Sequence, residues 1–201
     1  MKAAQTIAAT ALPLATNLGG TSVIVGGLQA PLLFVSPGQV NAQIPFELPP
    51  GHSYQVIVNN NGALSTPESI QLTPVTPGIA SLPSGYAIAQ HAADTSAITD
   101  ASPAKPGEYI VIYLAGMGPT DVPVASGTAA PSNILAQTVN PPSIALNAEP
   151  VSFPFSGMTP GFVGLYQIDL QVPVDAPDGD LPLVVNQPGF LGSSVILPVH
   201  Q

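Results

Sequence analysis

The chain has no cysteine and no arginine, and its only cations are Lys2 and Lys105. Without cysteine there are no disulfides, thiolate metal sites or cysteine nucleophiles, so packing alone holds the fold. Nucleic-acid binding needs a cationic face that displaces counterions. Two lysines against eleven acids, a net charge of −9, exclude that class and electrostatic attachment to anionic lipid. Charged residues make up 6% of the chain, where soluble proteins carry roughly 25%. Trypsin-like proteases therefore find almost nothing to cut, which suits a protein that persists outside cells. No apolar stretch approaches the length of about 18 residues that spans a membrane, so membrane insertion is not expected. Met1 to Ala11 lacks the apolar run of a signal peptide, so if the protein is exported, its export signal is expected outside this chain or of an unconventional kind.

What the chain has in abundance is proline and glycine, 25 and 19 of its 201 residues. Proline lacks the N–H of a helical bond and glycine costs backbone entropy, so long helices are excluded. Disorder goes with low hydrophobicity and high charge; here 45% of residues are hydrophobic and few are charged. Many short strands joined by tight turns fit this composition.

Strand-like runs recur along the whole length. They include Thr21–Val25, Ala30–Val35, Val40–Phe46, Tyr54–Asn59, Leu64–Leu72, Glu108–Ala115, Ser143–Leu146, Val151–Phe155, Tyr166–Val172, Leu181–Asn186 and Ser194–Val199. Asn61-Gly62 sits between two of them and marks a hairpin, because both residues tolerate positive φ. Glu108–Ala115 is the most β-prone run, rich in branched and aromatic residues. Alternation places Ile44, Val56, Val58, Ile110, Ile112, Ile168 and Val184 in the cores.

An internal repeat organises these runs. Val40-Asn41-Ala42-Gln43-Ile44-Pro45 matches Ile168-Asp169-Leu170-Gln171-Val172-Pro173 at a separation of 128 (168 − 40). Val56-Ile57-Val58-Asn59 matches Leu183-Val184-Val185-Asn186 at 127 (183 − 56), and Ser22–Val25 matches Ser143–Leu146 at 121 (143 − 22). A seven-residue insertion near Phe162 to Gln167 accounts for the difference between 128 and 121. The expected fold is all-β, two tandem antiparallel Ig-like β-sandwich domains. Residues 1–78 form the first unit, 79–104 an interdomain segment, and 105–201 the second unit. Glu108–Ala115 opens the second unit. Its counterpart in the first would fall before residue 1, so the first unit is expected to lack its opening strand.

Several motifs are recognisable as a family pattern. They include Leu18-Gly19-Gly20-Thr21-Ser22-Val23, Val35-Ser36-Pro37-Gly38-Gln39-Val40-Asn41, Gln43-Ile44-Pro45, Gly116-Met117-Gly118-Pro119, Pro160–Gln167 and Gln171-Val172-Pro173. With these the chain resembles, over roughly Leu12 to Val199, an uncharacterised C-terminal domain family of large secreted acidobacterial (Solibacter-type) proteins. The resemblance implies secretion and Ig-like modules, and it brings no catalytic residues. The chain departs from the pattern at one place: the Pro-Gly-apolar strand that usually opens the first unit is missing.

Candidate sites are sparse. His52, His91 and His200 are too scattered for a zinc cluster and are expected on the surface. Asp175, Asp178 and Asp180 form an acidic run that reads as a solvated turn, with weak calcium binding as the competing reading. Ser36 and Ser156 precede turns, where a hydroxyl caps backbone N–H groups, and no nucleophile elbow is present. Tyr54, Tyr86, Tyr109, Tyr113 and Tyr166 are expected in packing, with a sugar-binding platform as the alternative. These features predict no enzymatic activity, no cofactor and no metal. The expected partner is the protein itself, as a homopolymer, with cell-surface polysaccharide as a second possibility. The role expected is that of an extracellular or cell-surface structural subunit forming a filament by β-strand donation; the alternative is an adhesion or carbohydrate-binding accessory module. The donor strand is expected in the N-terminal segment, with Ala3, Gln5, Ile7, Ala9 and Ala11 on one face.

Overall fold

A computed structural model describes residues 5–192 and 194–201. The protein is all-β: among the described residues there are seventeen strands, β1 to β17, and no helix. All the strand pairs are antiparallel. The chain divides into two compact units, each built on a pair of sheets in the manner of a sandwich.

Unit one contains β1 (Ile7–Ala8), β2 (Thr21–Val25), β3 (Leu28–Gln29), β4 (Leu32–Val35), β5 (Val40–Ala42), β6 (Ser53–Asn60), β7 (Ala63–Leu64) and β8 (Glu68–Gln71). One sheet runs β1-β4-β5; the other runs β3-β2-β6-β7, with β8 also pairing to β6. Branched residues at alternate positions drive each strand to bury one face. Val23 and Val25 of β2 meet Leu32 and Val35 of β4 in one cluster with Ala30 and Leu48. The turn between β6 and β7 has Asn61 and Gly62 both at positive φ, as the sequence predicts.

Unit two contains β9 (Gly78–Ile79), β10 (Ala89–His91), β11 (Tyr109–Ala115), β12 (Ser143–Leu146), β13 (Glu149–Pro150), β14 (Phe155–Met158), β15 (Tyr166–Gln171), β16 (Gly179–Asn186) and β17 (Ser194–Val199). One sheet runs β10-β11-β15-β14, with β9 also on β11; the other runs β13-β12-β16-β17. Ile110, Ile112 and Leu114 of β11 and Ile168 and Leu170 of β15 are fully buried, the period of two expected for a strand with one face in a core.

Three expectations are corrected. The stretch 79–104 is not an interdomain segment: β9 and β10 pair with β11, and Ala87, Ala89, Ile98 and Ala104 are buried. Its strands are two or three residues long and held by backbone bonds; the sequence suggests one strand here, near Tyr86–Ala89, where the structure has bridges at Tyr86 and Ala87 and then β10. The unit boundaries also differ from 1–78 and 105–201. Unit one comprises 1–74 together with 124–132 and 160–164, and the rest belongs to unit two. Part of the insertion that breaks the repeat thus serves unit one. Third, the core assignments hold for Ile110, Ile112 and Ile168, whereas Val56, Val58 and Val184 are half-buried and Ile44 is exposed. On β16 the buried residues are Leu181, Leu183 and Val185, which places Val184 on the opposite face.

The contrast between Ile44 and Ile168 is measurable. Ile168→Ala should cost roughly 2–5 kcal/mol, a large-to-small change in a closed core. Ile44→Ala should cost less than about 1 kcal/mol, as expected for a half-solvated side chain. Urea denaturation of both variants checks this; equal losses would contradict the burial described.

Candidate functional site

The repeat makes the two units each other's control. β15 of unit two corresponds to β5 of unit one, and β14 to β4. β15 has β14 on one side and β11 on the other, whereas β5 among the described residues has β4 alone. The outer edge of β5 is therefore open where the edge of β15 is closed. Val172 donates its N–H to Glu108 O and accepts from Gly107 N–H, both at 2.9 Å, and is 0% exposed. Its counterpart Ile44 is 37% exposed. Val40 and Ala42 are half-buried, while Ile168 and Leu170 are sealed.

A second difference lies on the same strands. Gln171 donates from Nε2 to Gly107 O at 2.9 Å, tying β15 to the segment just before β11. The counterpart Gln43 is 8% exposed, and its Oε1 accepts from Gly127 N–H at 2.6 Å. Its Nε2 is buried without a hydrogen-bond partner. A Cβ on Gly164 would lie 3.3 Å from that nitrogen, so glycine there leaves the amide room. Leaving such a donor unpaired costs on the order of 1–3 kcal/mol.

The structure places the N-terminal segment on the opposite edge of the same sheet. Ile7 lies opposite Val35 and Ala8 opposite Phe34, and Ala9 N–H donates to Leu33 O at 2.9 Å. Ile7 packs its Cδ1 against Gly19, where a Cβ would approach within 2.5 Å. Ile7 and Ala9 are half-buried; Gln5 and Ala11 are exposed. Ala3 lies outside the described residues. The segment thus pairs within its own chain, along β4, and among the described residues no strand pairs with β5 as β11 pairs with β15.

The remaining candidates are dispersed. His52 meets Tyr54 edge-on, and His200 donates its N–H to Ala104 O. Ser36 Oγ accepts Gln39 N–H at 3.0 Å and so caps its turn, while Ser156 is buried beside Thr138. Asp180 accepts from Tyr86 OH and Asp178 from Gln201 N–H. Among the described residues no group of three histidines or acids is arranged to hold a metal. Tyr54, Tyr86, Tyr113 and Tyr166 direct their hydroxyls to separate partners: Pro49 O, Asp180, Gln90 and Gly118 O.

One cluster escapes sequence reasoning. His91 Nδ1 lies 3.1 and 3.2 Å from the Glu108 carboxylate oxygens, and its Nε2 lies 3.2 Å from Ser102 Oγ. This is the order of a nucleophile, base and carboxylate relay. However, the Ser102 N–H is already bonded to Thr99 O and Oγ1, at 3.0 and 3.1 Å, and Nε2 also faces Ser102 O at 3.3 Å. Glu108 in turn accepts from Lys105 N–H. These bonds join β10, the turn at Thr99–Ser102 and the residue before β11 into one brace. No motif spacing links residues 91, 102 and 108, so no sequence signal could have revealed it.

Compared with known proteins, the chain matches no family model and no curated relative.

Burial pushes the Tyr166 hydroxyl up to about 12. Its folded pKa exceeds the unfolded value near 10, so the stabilisation is complete below pH ~10 and is lost as pH rises through ~12. Stability measured by denaturant titration should fall across that alkaline window, and Tyr166→Phe should flatten the fall. An unchanged slope in the variant would contradict the assignment.

Proposed function

We propose that this chain is an extracellular structural subunit of Ig-like type, without enzymatic activity, which assembles with copies of itself by β-strand donation. The observation that carries the reading is the open edge of β5, with Ile44 exposed where Val172 is sealed. An unpaired edge presents a row of N–H and C=O groups that template another strand. Strand addition satisfies those groups through main-chain bonds and gains specificity from alternate side chains. Because donor and acceptor are different surfaces, head-to-tail addition does not close on itself and yields a filament. The scarcity of charge and the likeness to secreted acidobacterial proteins support an extracellular setting.

Size-exclusion chromatography and negative-stain electron microscopy of the purified chain over a concentration series test this. Filaments are expected from the full chain. Deletion of Met1–Thr10 should abolish them and leave soluble subunits, since β1 contributes only two paired residues to its sheet. A full-length chain that stays monomeric at high concentration would overturn the reading, and polysaccharide binding by that monomer would favour the adhesion module instead.

A further inference from the structure

We infer, building on the self-assembly reading above, that the open edge of β5 is completed by the N-terminal segment of a second copy, antiparallel, with Ile7 opposite Ala42 and Ala9 opposite Val40.

The hydrogen-bonding parity of β5 fixes which groups the edge offers. Ser36 and Gln39 exchange both backbone bonds across the Pro37-Gly38 turn. The next pair, Val35 and Val40, is therefore a non-bonded pair of the ladder, and the N–H and C=O of Val40 turn away from β4. Gln43 N–H donates to Pro31 O at 2.9 Å, so Gln43 faces β4. Val40, Ala42 and Ile44 then face outward, the parity of Ile168, Leu170 and Val172 beneath β11 in unit two. There Ile110 lies opposite Leu170 and Ile112 opposite Ile168. An occupant of the β5 edge inherits this antiparallel frame.

The sequence of the N-terminal segment suits that frame at one register. Ile7 is the one large aliphatic residue between Gln5 and Ala11. Unit one has the small Ala42 where unit two has Leu170, so the bulkiest donor side chain falls where the acceptor leaves the most room. Ala9 then meets the larger Val40. The segment up to Ala11 carries Lys2 and no acid, while all eleven acids lie at Glu47 or beyond. Donation therefore brings a cationic strand to an anionic subunit. Within its own chain the described part of the segment is held by two paired residues, the Ala9 bond and the contact of Ile7 with Gly19, a small set of contacts to exchange on release. A carbonyl of the incoming strand would also supply an acceptor of the kind that Gly107 gives Gln171, which Gln43 lacks.

The absence of native cysteine makes disulfide mapping unambiguous. Ile7→Cys chains are mixed with Ala42→Cys chains under assembly conditions, oxidised, and read on non-reducing gels with peptide mass spectrometry. The expected product is a 7–42 cross-linked heterodimer; the double variant should give a covalent ladder that reductant collapses. Ala9→Cys with Val40→Cys tests the same register and guards against misfolding of the first pair. Filaments that form without either cross-link would overturn this inference while leaving self-assembly standing. A 7–42 bond found only within single chains would also overturn it. If the full chain forms no filaments and the mixture gives no heterodimer, both readings fall.

Discussion

Each buried or edge backbone N–H and C=O of a sheet needs a partner, and in this protein that requirement is met unequally by two copies of one design. In unit two, β11 lies along β15 and its preceding residues continue the pairing onto Val172. Closing this edge buries Ile110, Ile112, Leu114, Ile168, Leu170 and Val172 together. In unit one β5 runs on the same pattern with no strand beyond it among the described residues. The side chains respond to the backbone: Ile44 is exposed, and Val40 and Ala42 are only partly covered.

The effect spreads to the facing sheet. Val56 and Val58 of β6 are half-buried, whereas their repeat counterparts Leu183 and Val185 are sealed. Burial of apolar area contributes about 25 cal/mol per Å², so the thinner core makes unit one the weaker partner in packing. It is reinforced by residues distant in sequence. Ser126 Oγ donates to the Glu47 carboxylate and accepts Phe46 N–H, while Gly127 donates its N–H to Gln43 Oε1 and accepts Leu14 N–H at its carbonyl. The hydrogen bonds from Ser126 also hold the Glu47 carboxyl below its usual pKa. These loops cover the face of β5 that carries Gln43, and Val40, Ala42 and Ile44 keep their outward parity.

With almost no ion pairs available, polar order rests on short hydrogen-bonded relays. The brace of His91, Glu108 and Ser102 fixes the approach to β11, and Gln187 Nε2 bonds Met117 O and Asn140 O in unit two. Burial raises the Asp169 carboxyl, a shift that its bond from Gln167 opposes. Asn41 takes that position on β5, so β5 itself carries no charge.

The amino-acid sequence by itself determined the all-β class, the repeat, the hairpin at Asn61-Gly62 and most of the longer strands. These follow from local causes: proline and glycine forbid helices, alternation with period two sets the buried face, and positive φ selects the turn residues. Only the tertiary structure decided the rest. Strands as short as β9 and β10 exist because a long neighbour, β11, offers them hydrogen bonds. Ile44 reads as core by pattern, yet burial depends on whether another strand arrives, and that is not encoded within its own run. The relay at His91 and the orphaned amide of Gln43 arise where segments far apart in the chain converge, a proximity that side-chain spacing along one strand does not specify.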